Sequence, residues 1–234
     1  MKIGIIGASS QVGSSLAFYF KHFTTVEPVC FIRSSYSSVS FDIASVEYRL
    51  KDSSNWAKEE FDGFDAVIDC SYPGGQLYEI GDSIKKQLRT IMPLLKPGTS
   101  FIYMSTIMAF GMPDSFKQVK NFTVPRSTYA YLKRKAEKEV RQLSEKHLID
   151  GYNFRLGQVH GFLQSVNSSY REKLSMNKEV KLDGTAAGLV NIIFIPTLAE
   201  AIIKAATKKI VPGLYSLVNS PQWNLSQLYE YYKQ

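Results

Sequence analysis

Cysteine is nearly absent. Only Cys30 and Cys70 occur in 234 residues, both inside apolar, strand-like runs. Two such thiols cannot build a disulfide framework. Neither has a CxxC partner or a neighbouring histidine, so no metal site is expected. Buried, reduced thiols in a cytoplasmic setting are expected instead. Histidine is equally scarce: His22, His147 and His160 stand isolated and read as surface or supporting residues, not catalysts. No apolar run reaches the roughly 18–20 residues of a membrane span. The opening residues KIGIIG enter a strand pattern at once, with no charged-then-apolar leader, so no signal peptide is expected.

The length supports one substantial core and is short for two, so one domain over residues 1–234 is expected. The formal net charge is +7, which suits small anionic ligands. The cations are scattered except in KRKAEK at 133–138, which reads as the solvated face of an amphipathic helix. Aromatics fall at core spacings without a basic groove beside them, so no nucleic-acid partner is expected.

Strand-like and helix-like segments alternate. Strands are expected at 2–7, 26–32, 46–50, 65–70, 101–105 and 152–156. Helices are expected at 11–22, near 54–61, at 76–95 and at 128–147. This βα rhythm predicts an α/β fold, a doubly wound parallel sheet of the Rossmann type. A serine-rich loop covers Ser34–Ser40, and a long polar loop runs to Pro125. The tail is less regular, with strands at 191–195 and 214–218 and helices at 197–207 and 224–233.

The first strand ends in GASSQVG, Gly7 to Gly13. Gly7 suits a tight strand-to-helix turn, and Gly13 lets the helix approach the sheet. The amides of Ser9, Ser10, Gln11 and Val12 lie at a helix N-terminus, which favours an anion such as a pyrophosphate. Ser10 stands where a middle glycine is usual, and its hydroxyl can replace part of that contact. Arg33 and Ser34 end the second strand, where an adenosine ribose lies in such folds. An arginine there suits the 2′-phosphate of NADP, where an acid suits NAD. Cys70, Ser71 and Tyr72 end the fourth strand and border the cofactor by backbone and small side chains.

Tyr129 and Lys133 are four apart on a predicted helix and share a face. An ammonium beside a phenol favours the phenolate, which lets the tyrosine exchange a proton with a carbinol. Tyr131/Lys135 and Tyr229/Lys233 have the same spacing, so position must decide. Thr106 follows the fifth strand, at the ligand-binding edge of such a sheet, and the helix bearing Tyr129 comes next.

These segments together resemble the short-chain dehydrogenase/reductase superfamily, in its extended or atypical branch of nucleotide-sugar epimerases, dehydratases and reductases. GASSQVG resembles that branch's GxxGxxG, and STIMAFG at 105–111 resembles SSxxVYG. YAYLKRKAE at 129–137 resembles YxxSKxxAE, and FRLGQVHG at 154–161 resembles RPxxVYG. Ala136-Glu137 fixes the register on Tyr129 and Lys133. The resemblance implies Thr106, Tyr129 and Lys133 as the catalytic set, with Lys133 also holding the nicotinamide ribose. It implies an adenine contact for Asp52, which equally suits a helix cap. The cofactor implied is NAD or NADP, with Arg33 favouring NADP. The substrate implied is a carbonyl or carbinol, most naturally of a nucleotide-sugar. Keto-sugar reduction and C4 epimerisation both fit. The 4,6-dehydratases carry Asp-Glu after the Thr; Ile107 and Met108 stand here, which argues against water elimination. Residues from about 162 to 234 form a reduced substrate-binding region by the same comparison. Analogy also suggests a homodimer through helices 76–95 and 128–147.

Two other readings compete. One is a non-catalytic NADP-binding sensor or scaffold of the same fold. The other is a semialdehyde-dehydrogenase-like enzyme, whose opening MKIGIIGASSQVG resembles. The latter needs a nucleophilic cysteine beyond the middle of the chain, and none exists.

Overall fold

The computed structural model describes residues 1–51, 55–110, 127–161, 164, 170–172, 174 and 188–233. Its strands, in chain order, are β1 (Lys2–Ile6), β2 (Glu27–Ile32), β3 (Glu47–Leu50), β4 (Ala66–Asp69), β5 (Ser100–Thr106), β6 (Asp150–Leu156), β7 (Gln158–His160), β8 (Leu189–Val190), β9 (Ile192–Phe194), β10 (Gly213–Leu217) and β11 (Trp223–Asn224). Seven of them form one sheet in the order β10-β6-β5-β4-β1-β2-β3. Every pairing within it is parallel. The chain order reverses between β1 and β4, and that reversal opens a crevice at the carboxyl edge.

Period-two alternation divides the strand side chains between two cores. Ile3, Ile5, Cys30, Ile32, Ile68, Ile102 and Met104 face one side. There they meet Leu16, Ala17 and Phe20 of α1 (Gln11–Phe23) and a later helix over Ile195–Ala206. Ile6, Val29, Phe31, Val67, Phe101 and Tyr103 face the other side, with Ile84 and Leu88 of a helix over Leu77–Ile91 and Leu132 and Val140 of one over Thr128–His147. In chain order, with a short α2 (Val39–Ile43), these are α3 (Leu77–Ile91), α4 (Thr128–His147) and α5 (Ile195–Ala206); α6 (Leu225–Lys233) ends the described chain. Each fully buried aliphatic or Phe side chain contributes about 1.5–3 kcal/mol.

Local chemistry sets the helix ends. Ser10 caps α1 by accepting from the Gly13 amide at 3.1 Å, and Ser127 caps α4 by accepting from Ala130 at 3.2 Å. Lys146 and His147 occupy the last turn of α4, opposite its negative dipole end, before Leu148 breaks it in the left-handed region (φ 56°).

The expected elements are present with small boundary shifts. The serine-rich loop holds a 3-10 turn at Ser35–Ser37 and then α2. The helix expected near 54–61 is only a 3-10 turn at Lys58–Phe61. Strands β7, β8 and β11 were not legible, since two or three residues carry no period, whereas β9 lies within the strand expected at 191–195. The polar loop expected up to Pro125 lies outside the described residues. The tail supplies the seventh strand of the main sheet: β10 lies beside β6, and α5 packs on α1.

His160 corrects its reading as an isolated histidine. It is fully buried, with Nδ1 2.7 Å from the Tyr232 hydroxyl and Nε2 3.2 Å from Gln158 Oε1. The rings of Tyr170, Phe194 and Tyr232 surround it, each with its centroid 5.9 Å away. Burial pulls its pKa down to about 4. The unfolded chain, with an ordinary histidine near pH 6.5, therefore binds more protons between those values. Stability contributed by neutral His160 is full above that range and is lost as pH falls through it. Urea unfolding at pH 5 rather than pH 7 is expected to show about 2 kcal/mol less stability from this group, a difference that His160→Gln removes.

Candidate functional site

The turn after β1 needs both of its glycines. Gly7 has φ +68°, and a Cβ there would lie 2.6 Å from the backbone of Ser71. A Cβ on Gly13 would lie 2.6 Å from the Gly7 carbonyl oxygen. The turn is thus pressed against the end of β4, with the α1 N-terminus opening above it. Ser10 uses its side-chain oxygen as the helix cap, so its hydroxyl proton remains for a ligand.

A cleft of about 450 Å³ runs from this turn across the carboxyl ends of β1, β2 and β4. Gly7, Ser9, Ser10, Arg33, Ser71 and Tyr72 line it, as the sequence predicts. Phe31, Lys51, Trp56, Lys86 and Gln87 line it as well and were missed. Lys86 and Gln87 lie with Ser83 at helical spacing on one face of α3, a pattern available in the sequence but not distinctive. Lys51 is ion-paired with Glu60 and donates to the Asn55 carbonyl at 2.8 Å, whereas exposed Arg33 has no ion pair among the described residues. No carboxylate lines this cleft among the described residues. A helix N-terminus, a glycine-walled floor and three cations fit the diphosphate and adenosine of a nicotinamide dinucleotide. Ser34 does not line the cleft; its hydroxyl oxygen caps the following turn by accepting from Tyr36 at 3.2 Å. Asp52 lies outside the described residues.

A second cavity, of about 320 Å³, adjoins the first and shares Ser10 and Tyr72 with it. It brings together Thr106, Tyr129 and Lys133 with Gln11, Val12 and Cys70. Gly13 sits buried below, within α1. Thr106 ends β5, and its hydroxyl oxygen accepts from the Met108 amide at 3.2 Å, which leaves the hydroxyl proton free to donate. No acid lines this cavity among the described residues. Cys70 contributes a thiol that burial pushes well up, so it is no nucleophile, and Cys30 behaves alike.

Helix α4 corrects the solvated-face reading of KRKAEK. Lys133, Ala136 and Glu137 point inward, and Lys133 is only 4% exposed. Its Nζ donates to the Met104 carbonyl at 2.7 Å and stands 4.6 Å from the Tyr103 ring centre and 6.0 Å from that of Tyr129. Burial lowers the Lys133 pKa to about 8, against the opposing pull of Asp69, Cys70 and Glu137. Asp69 lies buried beneath it at the end of β4, accepting from the Ser71 amide and from Gln87, both at 2.9 Å. One turn on, Glu137 accepts from Arg155 Nε at 2.8 Å, from Arg155 Nη2 at 2.7 Å and from the Ser105 hydroxyl at 2.5 Å.

The phenol differs from expectation. The Tyr129 pKa is raised, by burial first and then by Tyr72, whose ring meets it edge-on at 5.0 Å. Lys133 was expected to favour the phenolate. Its ammonium instead donates to the Met104 carbonyl, and the Tyr129 side chain is itself 37% exposed.

Two mutational outcomes follow from this buried charge. Lys133→Met removes a desolvated ammonium at little change in volume, and should raise stability at pH 7 by about 1–2 kcal/mol in a thermal melt. Glu137→Ala strands the Arg155 guanidinium and should cost about 3–5 kcal/mol, while Glu137→Leu combined with Arg155→Met should recover much of that loss.

Among the described residues, no His, Cys, Asp or Glu cluster is arranged to hold a metal ion, and no helix is long and apolar enough to cross a membrane. No curated protein matches the sequence. Solved structures match over nearly the whole chain. A UDP-glucuronic acid 4-epimerase from Bacillus cereus, in complex with UDP-glucuronic acid and NAD, superposes with a TM-score of 0.76 at 15% identity, over 100% of this chain and 82% of its own. A UDP-N-acetylglucosamine 4-epimerase from Methanobrevibacter ruminantium M1, in complex with UDP-N-acetylmuramic acid, gives 0.76 at 14% identity, over 98% and 80%. A dTDP-glucose 4,6-dehydratase from Bacillus anthracis str. Ames, in complex with NAD, gives 0.73 at 14% identity, over 99% and 80%. At such identities the likeness establishes the fold. The family model of the NAD dependent epimerase/dehydratase family matches residues 3–217, and the chain belongs to that family.

Proposed function

We propose that the protein is an enzyme that binds NAD or NADP and acts on a carbonyl or carbinol of a nucleotide-sugar, as a keto-sugar reductase or a C4 epimerase. The observation that carries this reading is the meeting of Thr106, Tyr129 and Lys133 in one cavity that opens onto the glycine-walled cleft. The nucleotide-sugar class is supported by the family and by the UDP-sugars bound in the neighbouring structures.

A nicotinamide dinucleotide supplies hydride chemistry when bound. The chain supplies the rest. Thr106 donates its hydroxyl proton to the substrate oxygen. Tyr129 gives or takes the proton on that oxygen. Lys133 places a positive charge beneath the phenol and holds a ribose hydroxyl. The absence of an acid after Thr106, where Ile107 and Met108 stand, argues against water elimination. Arg33 favours NADP by offering charged donors to a 2′-phosphate, in a cleft with no described carboxylate to repel it. The UDP-glucuronic acid 4-epimerase and dTDP-glucose 4,6-dehydratase structures carry NAD, so the proposal of NADP rests on Arg33 alone. Residues from about 162 onward complete the substrate side.

Fluorescence titration with NADPH and NADH tests the cleft. NADPH should bind more tightly, and Arg33→Ala should weaken NADPH by about 10–100-fold while leaving NADH nearly unchanged. Equal loss for both would remove the 2′-phosphate role. In turnover assays on keto-sugar nucleotides, Tyr129→Phe should retain dinucleotide affinity and lose about 10²–10⁴ in kcat. Tight NADPH binding without turnover by the native chain would instead favour a sensor.

A further inference from the structure

Asp69, Ser71 and Gln87 form a polar group that the chemistry above leaves unused. Asp69 ends β4 and is only 2% exposed. Its Oδ1 accepts from the Ser71 amide and its Oδ2 from Gln87 Nε2, both at 2.9 Å. The same nitrogen donates to the Ser71 hydroxyl oxygen at 2.7 Å. A carboxylate accepts and does not donate, so the Gln87 amide can meet it only through its NH2 group. Asp69 and Ser71 take both protons of that group. Gln87 is half-buried, and its Oε1 has no hydrogen-bond partner among the described residues, yet it is not sealed from solvent. Ser71, whose oxygen accepts from Gln87, keeps its hydroxyl proton to donate. Both residues line the larger cleft. Buried Asp69 thus holds a ledge that offers one acceptor beside one donor.

The place of the ledge says what would meet it. A Cβ on Gly7 would lie 2.6 Å from the backbone of Ser71, so the ledge adjoins the turn that suits a diphosphate. The group bonded to a nucleotide's diphosphate is a ribose. Strand alternation puts Arg33 on the side of Phe31, which is the side of α3 and Gln87. A ribose over the turn is then flanked by Arg33 from β2 and by the ledge from β4 and α3. Its hydroxyls need an acceptor. Arg33 stands where an acid would supply one, and no carboxylate lines the cleft among the described residues.

Resting on the dinucleotide reading above, we propose that Gln87 and Ser71 bind one hydroxyl of the adenosine ribose. Gln87 Oε1 accepts its proton, and the Ser71 hydroxyl donates to its oxygen. Asp69 is the positioning residue that fixes which end of the Gln87 amide faces the cleft. An asparagine at 69 would keep an oxygen for the Ser71 amide and turn an NH2 group toward Gln87. The Gln87 amide would then rotate to meet it with Oε1 and present a donor to the cleft in place of the acceptor.

Calorimetric titration with ADP, 2′-deoxy-ADP, 3′-deoxy-ADP and inosine 5′-diphosphate tests this, with thermal melts to check that each variant is folded. The native chain is expected to bind ADP about tenfold more tightly than whichever deoxy compound lacks the held hydroxyl. In Ser71→Ala that gap should shrink to about threefold, and in Asp69→Asn it should vanish. Ser71→Ala carries the test should Asp69→Asn fold poorly. Equal native affinity for ADP and both deoxy compounds would overturn the proposal, as would a gap unchanged in the variants. Loss confined to inosine 5′-diphosphate, which lacks the 6-amino group, would overturn it by giving the ledge to the base. Equal weakening of ADP and both deoxy compounds in Asp69→Asn, with the gap retained, would reduce Asp69 to a structural residue and overturn its positioning role. All of these outcomes leave the proposed function standing. Failure of the native chain to bind ADP, NADPH or NADH would overturn both.

Discussion

The structure around the site depends on a single buried ion pair. Glu137, on the inward face of α4, closes two bonds with Arg155 of β6 and one with Ser105 of β5. Asn153 adds a bond from its amide to the Glu137 carbonyl at 3.2 Å. Helix α4 is thereby fixed against two neighbouring strands at one height. Four residues earlier, that height places Lys133 against the Met104 carbonyl, and four earlier again, Tyr129 at the crevice. Removing either partner would leave a charge in a medium that solvates it poorly, so the pair enforces register more than it adds stability. The stacking of Arg155 on Phe110, 4.3 Å from guanidinium to ring centre, extends the same clamp to the turn after β5.

The polar stripe also explains why β6 breaks the pattern of its neighbours. Tyr152, Phe154 and Leu156 face the α1 side as ordinary core, while Asn153 and Arg155 occupy the alternate positions. On the α4 side, the apolar core thus gives way to a layer of hydrogen-bonded side chains near the carboxyl edge. Asp69 belongs to this layer, tied to Ser71 and Gln87. The cost of such a layer is lower intrinsic stability. Its return is a set of groups that cannot slide, which proton transfer over a short distance requires.

Much of this was legible in the sequence. Continuous apolar runs such as FIYMS, and a 20-residue helix of good formers, leave little choice of element or order. The glycine turn, Arg33, Thr106, Tyr129 and Lys133 were each visible as residue types at informative spacings. What escaped was of two kinds. The wall from Trp56, Lys86 and Gln87 comes from segments distant along the chain, and only the folded sheet edge makes them neighbours. The upward push on the Tyr129 pKa escaped because spacing counts the nearby cation and cannot count the packing of Tyr72 against the phenol ring. Ser34 escaped through local competition: a serine beside a turn caps that turn first.

The close approach of Gly7 to Ser71 reaches further than a phosphate cradle. It joins the end of the first strand to the end of the fourth with no space for a methyl group between them. A lineage drifting to alanine at position 7 would have to displace the β4 terminus, and with it the ring at 72 and the carboxylate at 69. Backbone crowding at one point thus couples the fates of residues more than sixty positions apart, and mutational tolerance should be lowest where no side chain exists at all.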